Sequence, residues 1–98
     1  MQFEWDENKN NENIRKHGCD FADAWQMFEN SLVAGLDDCE DYGEERWIGV
    51  GMMPNGIVAV LVFTEKAEET IRIISMRKAT KNERTRYEQA IKDGLGKD

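Results

Sequence analysis

The chain has 98 residues and a mass of 11.3 kDa, the size of one domain, so we expect a single domain over residues 1–98. Hydrophobic residues make up 40% and charged residues 34%, a balance that supports a folded core and argues against a membrane span. The longest apolar run, residues 57–63, is far shorter than the roughly 20 residues of a transmembrane helix. The first ten residues lack the basic start and apolar stretch of a signal peptide, so we expect a cytoplasmic protein with its two cysteines reduced.

The net charge of -7 is divided unevenly along the chain. Residues 1–70 hold 5 Lys/Arg and 16 Asp/Glu, whereas residues 71–98 hold 8 Lys/Arg and 4 Asp/Glu. Such asymmetry is typical of a protein that binds an anion at one end and a basic partner at the other. Ordinary scatter of surface charge is the alternative interpretation.

The first predicted element is a polar helix over residues 6–17. Asp6 can cap its start, and Gly18 can end it by taking a positive φ angle. Because few of its residues are apolar, we expect Phe3 and Trp5 to attach it to the rest of the protein.

A second helix is predicted between Asp20, a candidate N-cap, and Asn30. Its apolar residues have the i, i+3, i+4, i+7 spacing of a helix that faces a core: Phe21, Ala24, Trp25 and Phe28.

Four strands follow in the prediction. Residues 32–36 form a short apolar strand, and residues 46–53 alternate with period two. Pro54-Asn55-Gly56 is a hairpin turn, since Asn-Gly supplies the positive φ angles of a tight turn. Residues 57–63 are apolar throughout and rich in β-branched residues, which indicates a central strand, and residues 70–76 form the last strand.

A third helix is predicted over residues 81–93, between a capping box made by Thr80 and Glu83 and a terminal Gly94. The predicted fold is therefore α+β: two N-terminal helices, an antiparallel four-stranded meander sheet and a C-terminal helix. We expect helices on one face of the sheet and a ligand on the other, less covered face.

Six acids crowd residues 37–45, which we interpret as a solvated loop. The alternative is a metal-dependent nuclease whose ligands come from Glu40, Asp41, Glu44 and Glu45. The sequence contains no phosphate loop, CxxC pair or HExxH motif, and one histidine with two distant thiols makes a zinc site improbable. We therefore expect no cofactor and no metal.

The basic segment, residues 72–86, holds six basic residues and one acid, and it is the most informative part of the chain. Strict alternation places Arg72 and Arg77 on opposite strand faces, unless a twist or bulge intervenes. Arg77 and Lys78 end a strand just before a helix N-terminus, a place that favours phosphate. Arg46 opens a neighbouring strand. For Arg72, an ion pair that lies flat on the sheet is an equally natural role.

His17 is the only histidine, and it follows two basic residues at the end of the first helix. Its polar neighbours do not indicate a buried packing role. Because imidazole titrates near neutral pH, proton transfer and a structural role both remain open.

An ordered set of residues from Phe3 to Tyr87 resembles the BrnT toxin family. The set comprises Phe3-Glu4-Trp5-Asp6, Lys9, Asn13, Lys16-His17-Gly18, Phe21, Ala24, Phe28, Asp41-Tyr42-Gly43-Glu44-Glu45-Arg46, Arg72-Ile73-Ile74-Ser75, Arg77-Lys78-Ala79, Glu83 and Tyr87. The resemblance implies a bacterial type II toxin with a RelE-like fold, a ribonuclease that halts translation. It also implies a BrnA-like ribbon-helix-helix antitoxin that binds and blocks the toxin, and contact with operator DNA only through that antitoxin.

The activity implied by the resemblance assigns roles to the basic residues. Metal-independent RNA cleavage must deprotonate the ribose 2′-OH, stabilise the phosphoryl oxygens and protonate the leaving 5′-oxygen. His17 is one candidate for proton transfer, with Glu45 or Lys78 as its partner. The remaining assignments are phosphate binding by Arg46, Arg72 and Arg77, base stacking by Tyr42 or Trp47, and further RNA contacts by Lys16 and Lys81.

A non-catalytic module that binds a basic protein is the competing hypothesis. Trp25, Trp47 and the acidic residues 37–45 would form its binding surface. The net negative charge supports this alternative, because an acidic surface repels RNA and attracts a basic partner.

Overall fold

The computed structural model describes residues 1–30, 32–37, 44–67 and 69–94. Within these residues, no helix is long and apolar enough to cross a membrane. Most of the predicted acidic loop, residues 38–43, lies outside them. The elements in chain order are β1 (Gln2–Glu4), α1 (Glu7–His17), a 3-10 helix (Phe21–Asp23), α2 (Trp25–Glu29), β2 (Val33–Asp37), β3 (Arg46–Met52), β4 (Val58–Lys66), β5 (Thr70–Lys78) and α3 (Lys81–Lys92).

The five strands form one mixed sheet in the order β1-β5-β4-β3-β2. The predicted antiparallel four-stranded meander is wrong, because β1 adds a fifth strand that runs parallel to β5, with Phe3 opposite Ile71. The α+β class is correct. A three-residue strand has too short a pattern to be recognised, and its partner lies 68 positions further along the chain.

Local capping signals place the helices where the sequence predicts them. Asp6 accepts hydrogen bonds from the backbone N–H groups of Asn8 and Lys9, and Gly18 ends α1 with φ 68°. Asp20 likewise accepts the N–H of Ala22. The predicted second helix is nevertheless divided into the 3-10 helix and the short α2.

The two faces of the sheet differ in how they are covered. One face, called the core face, packs against the 3-10 helix and α2, and a Cβ added to Gly49 there would lie 2.9 Å from Cδ1 of Leu32. The other, called the open face, is covered only in part by α3, whose Tyr87 is buried. The core consists of Phe21, Ala24, Met27, Ala59, Leu61, Phe63, Ile71, Ile73 and Met76.

A register shift interrupts the pairing of β4 with β5. Val62 lies opposite Ser75, but the next residue, Phe63, lies opposite Ile73. Ile74 is therefore an extra residue in β5, a β-bulge.

The bulge decides which side chains of β5 are buried. Ile71, Ile73 and Met76 all point into the core, although strict alternation would put Met76 on the opposite face from Ile73. Arg72 and Arg77 both lie on the open face for the same reason. Strict alternation therefore fails for these two arginines, and a bulge, the exception that the sequence left open, is the cause.

Helix α1 lies along the edge of β5 beyond the end of β1. Asn13 donates to the carbonyl of Met76 at 2.7 Å and accepts its N–H at 3.2 Å, which completes the hydrogen bonding of that edge. Asn13 also donates to the carbonyl of Cys19. One turn earlier, Asn10 accepts the N–H of Phe21 at 2.9 Å, so two buried amides join this polar helix to the core.

Asn13→Ala should destabilise the fold by about 2–3 kcal/mol, because it leaves the buried N–H and C=O of Met76 without partners. Urea unfolding followed by circular dichroism measures this change. Asn11→Ala, at an exposed position of the same helix, is the matched control and should change stability by less than about 0.5 kcal/mol. Equal effects of the two substitutions would contradict the role of the Asn13 amide.

Candidate active site on the open sheet face

Three arginines occupy the open face of the sheet. Arg72 lies directly opposite Thr64, and Arg46 flanks Thr64 from the other side, because the residue after Arg46 pairs with Phe63. From the spacing of strands and of residues along a strand, the Cα atoms of Arg46 and Arg72 are roughly 10 Å apart. Arg77 lies about 13 Å from Arg72, because their partners Val60 and Thr64 are four residues apart on β4. The face therefore presents a pair of guanidinium groups at one end and a third guanidinium at the other.

Exposed carboxylates accompany the pair of arginines. Arg72 Nη1 donates to Glu4 Oε2 at 2.9 Å, and Nε of Arg46 lies 3.8 Å from a carboxylate oxygen of Glu44. Lys66 approaches the same Glu44 carboxylate at 3.3 Å. Both of these acidic side chains, Glu4 and Glu44, are at least one-third exposed, so water screens their ion pairs with the arginines.

Glu45 lies at the same end of the sheet, at the mouth of a polar cleft of about 200 Å³. Its backbone carbonyl accepts a hydrogen bond from the hydroxyl of Thr64 at 2.8 Å, which ties the start of β3 to β4. The side chain itself is exposed and adjoins Lys66 in the cleft. The Glu45 carboxylate therefore adds to the negative charge at this end of the sheet.

Arg77 marks the other end, where β5 gives way to α3. Its Nη1 and Nη2 groups donate to the two carboxylate oxygens of Glu83 at 2.7 and 2.8 Å. This bidentate pair and the N–H of Thr80 hold the pKa of Glu83 down at about 2, well below 4.5, and the same carboxylate raises the pKa of Arg77. The Arg77 side chain is 41% exposed, and its Nη1 group also donates to the backbone carbonyl of Lys78 at 3.3 Å.

Lys78 and His17 lie at this end too, but not on the open face. Lys78 pairs with Ala59, a core-face residue, and lines a cavity of about 90 Å³ together with Gly18. Burial raises the pKa of the neighbouring Cys19 thiol, and the positive charge of Lys78 acts against that rise. His17, the last residue of α1, is exposed beside Gly18, so it lies near Lys78 at the carboxyl end of β5.

The other residues predicted to bind RNA are not gathered in one place. Trp47 is half-buried, packs against the hydrophobic core and lines the cleft beside Glu45, so it lies on the sheet face opposite the three arginines. Lys16 is exposed on α1, 3.9 Å from Glu12, and Lys81 is exposed in the first turn of α3. Tyr42 lies outside the described residues.

The structure thus divides the predicted catalytic set into two groups, Glu45 with Arg46 and Arg72, and His17 with Arg77 and Lys78. It adds Glu83, which sequence reasoning recognised only as part of a capping box. Glu83 accepts a bidentate hydrogen bond from Arg77, which precedes it by six residues, and this contact depends on the angle between β5 and α3. No local pattern in the chain encodes that angle.

Comparison with known proteins identifies the class to which this arginine-bearing fold belongs. Residues 5–83 match the model of a family described as "Ribonuclease toxin, BrnT, of type II toxin-antitoxin system". The class is therefore that of ribonuclease toxins of type II toxin-antitoxin systems.

The 1.1 Å crystal structure of the Brucella abortus ribonuclease toxin BrnT is similar to this chain, with 34% sequence identity and a TM-score of 0.65. The match covers 83% of this chain and 99% of the Brucella chain. No curated protein matches. The chain belongs to the BrnT family.

The Arg77–Glu83 pair predicts how stability depends on pH. Because the pKa of Glu83 is depressed from 4.5 to about 2, the carboxylate stabilises the folded state above pH 4.5 and loses that contribution as the pH falls toward 2. Acid titration of the unfolding free energy should therefore show wild type losing its advantage over Glu83→Gln across this window. The control is Glu88→Gln on the same helix, since Glu88 is exposed and has no ion pair in the described part of the chain.

An advantage of wild type over Glu83→Gln that stays constant between pH 5 and pH 2 would show that the carboxylate charge does not stabilise the fold.

Proposed function

We propose that this BrnT-family toxin is a metal-independent endoribonuclease that inhibits translation and is neutralised by a BrnA-like ribbon-helix-helix antitoxin. The observation that carries the proposal is the shared location of Arg46, Arg72 and Arg77 on the open face of the sheet. Guanidinium forks bind pairs of phosphoryl oxygens, and a ribonuclease must hold the backbone on both sides of the bond that it cuts.

The reacting phosphate lies at the Arg77 end in this proposal. The arginine pair at the other end has Glu4, Glu44 and Glu45 around it, and these carboxylates weaken its attraction for a phosphodiester, so it suits a flanking phosphate better than the reacting one. At the Arg77 end, Lys78 adds positive charge. Consecutive residues of a strand point to opposite faces, so Arg77 and Lys78 straddle the end of β5 and both reach a phosphate placed there.

His17 and Lys78 are then the candidates for proton transfer. One removes the proton of the ribose 2′-OH while the other protonates the leaving 5′-oxygen, and Arg77 stabilises the charge that grows on the phosphoryl oxygens. Glu45, roughly 16 Å of strand away, is too distant to act on the same phosphate. Its place is beside the flanking phosphate that Arg46 and Arg72 bind, and Lys81 and Lys16 extend the RNA path around the reacting end.

The antitoxin follows from the toxin class. A toxin of a type II system is blocked by a protein, and the acidic surface of residues 1–70 attracts a basic one. In this proposal the toxin meets operator DNA only through its antitoxin and acts on RNA in the cytoplasm, where RNA cleavage stops protein synthesis.

Arg77→Ala should lower RNA cleavage by a factor of about 100 or more, because it removes the donor that stabilises the phosphoryl oxygens. Arg77→Lys keeps the charge but lacks the fork, so it should restore only part of the activity. The measurement is cleavage of a labelled RNA by purified protein, with circular dichroism to check folding. Lys92→Ala, which removes an exposed positive charge at the far end of α3, should retain activity. Full activity of a folded Arg77→Ala variant would place the site elsewhere.

Cleavage should also survive chelation, because every step above is assigned to a side chain. Addition of EDTA to the wild-type reaction should leave the rate unchanged, and added Mg²⁺ should not restore the activity of Arg77→Ala. Loss of cleavage in EDTA would favour a metal-dependent nuclease built on the acidic residues, most of which lie outside the described part of the chain. Absence of cleavage under all conditions would favour the non-catalytic module.

A further inference from the structure

Glu83 joins Arg77 to the first turn of α3. Its Oε1 atom accepts from Nη1 of Arg77 at 2.7 Å and from the backbone N–H of Thr80 at 2.8 Å, and its Oε2 atom accepts from Nη2 of Arg77 at 2.8 Å. The hydroxyl of Thr80 in turn accepts the N–H of Glu83. The carboxylate is therefore fixed by the helix cap before it meets the guanidinium.

A guanidinium group has two forks for a bidentate partner. The end-on fork consists of Nη1 and Nη2, and Glu83 occupies it. The side-on fork consists of Nε–H and the outer hydrogen of Nη2. Among the residues that the structure describes, nothing bonds to that second fork, and the side chain is 41% exposed.

We infer that Glu83 is a positioning residue for the cleavage reaction: it holds the end-on fork of Arg77 so that the side-on fork is aimed at the phosphoryl oxygens of the RNA. The inference rests on the proposed function, in which Arg77 binds the reacting phosphate. Glu83 itself touches no RNA and acts only through Arg77.

An Arg77 side chain that Glu83 already holds in place would lower the free energy of the transition state. A free arginine side chain samples many rotamers, and ordering it at the moment of reaction lowers the rate. An arginine already held by a carboxylate needs no reorganisation when negative charge grows on the phosphoryl oxygens. The alternative is that the carboxylate competes with phosphate for Arg77, in which case removing it would increase activity.

Glu83→Gln is the test variant, because the amide oxygen still accepts the N–H of Thr80 while the amide nitrogen cannot accept from Arg77. We expect kcat for RNA cleavage to fall about tenfold to a hundredfold, with KM changed by no more than about twofold, since the lost orientation matters most in the transition state. An unchanged kcat, or a higher one, would overturn the inference.

Thr80→Ala separates positioning from helix stability. It removes the hydroxyl half of the capping box and weakens α3, but it leaves the carboxylate of Glu83 on Arg77. This variant should keep a kcat close to that of wild type. A fall in kcat equal to that of Glu83→Gln would mean that the loss comes from a weakened helix, and the inference would fail.

A double-mutant cycle separates the failure of this inference from the failure of the proposed function. If Glu83 acts through Arg77, the double variant Arg77→Ala/Glu83→Gln should be no less active than Arg77→Ala alone. Inactive Arg77→Ala with fully active Glu83→Gln would refute the positioning role and leave the proposed site standing. Active Arg77→Ala would refute the proposed site itself.

Discussion

The arginine-bearing face depends on a single irregularity, the extra residue Ile74 in β5. Ile73 and Met76 are three residues apart, so in a regular strand they would point to opposite faces. Only the extra residue allows both of them to be buried in the core. Without it, one arginine would instead point into the core, where an unpaired charge costs several kcal/mol. The bulge removes only the regular pairing of one residue, which destabilises the fold less than a buried unpaired arginine would. As a result, Arg72 and Arg77 lie on one surface.

The parts of the fold that were predictable are those encoded within a few residues. Asp6 and Gly18 bound α1 because a side-chain cap and a positive φ are properties of single positions, and the box of Thr80 and Glu83 spans one helical turn. The position of Phe3 in a strand was not predictable, because its pairing with Ile71 crosses the whole chain. Period-two reasoning anticipated that a bulge could unite the arginines, but neighbouring residues carry no sign of where the register shifts.

The same division holds for the candidate site. Residue types and charge density were enough to single out Arg77 and Lys78, since six basic residues against one acid is a property of the segment itself. The sheet face on which Trp47 lies was not predictable, because both faces of β3 look apolar and only packing against the hydrophobic core reveals which one is the core face. The role of Glu83 was hidden because its partner is chosen by the orientation of α3 and not by sequence spacing.

The chain can be acidic overall and still belong to a ribonuclease family, because electrostatic interactions between surface charges act only over a short distance. At physiological ionic strength charges are screened beyond about 8 Å, so a phosphate at Arg77 responds to its immediate neighbours and not to the net charge of -7. In the proposed function, the acidic remainder of the surface has a separate effect, because it disfavours nonspecific RNA contact away from the Arg77 end. The basic antitoxin of the proposed function would instead be attracted by the same acidic surface. In the proposed function, the uneven charge that resembles surface scatter in the sequence thus separates the region where RNA reacts from the region that attracts the antitoxin.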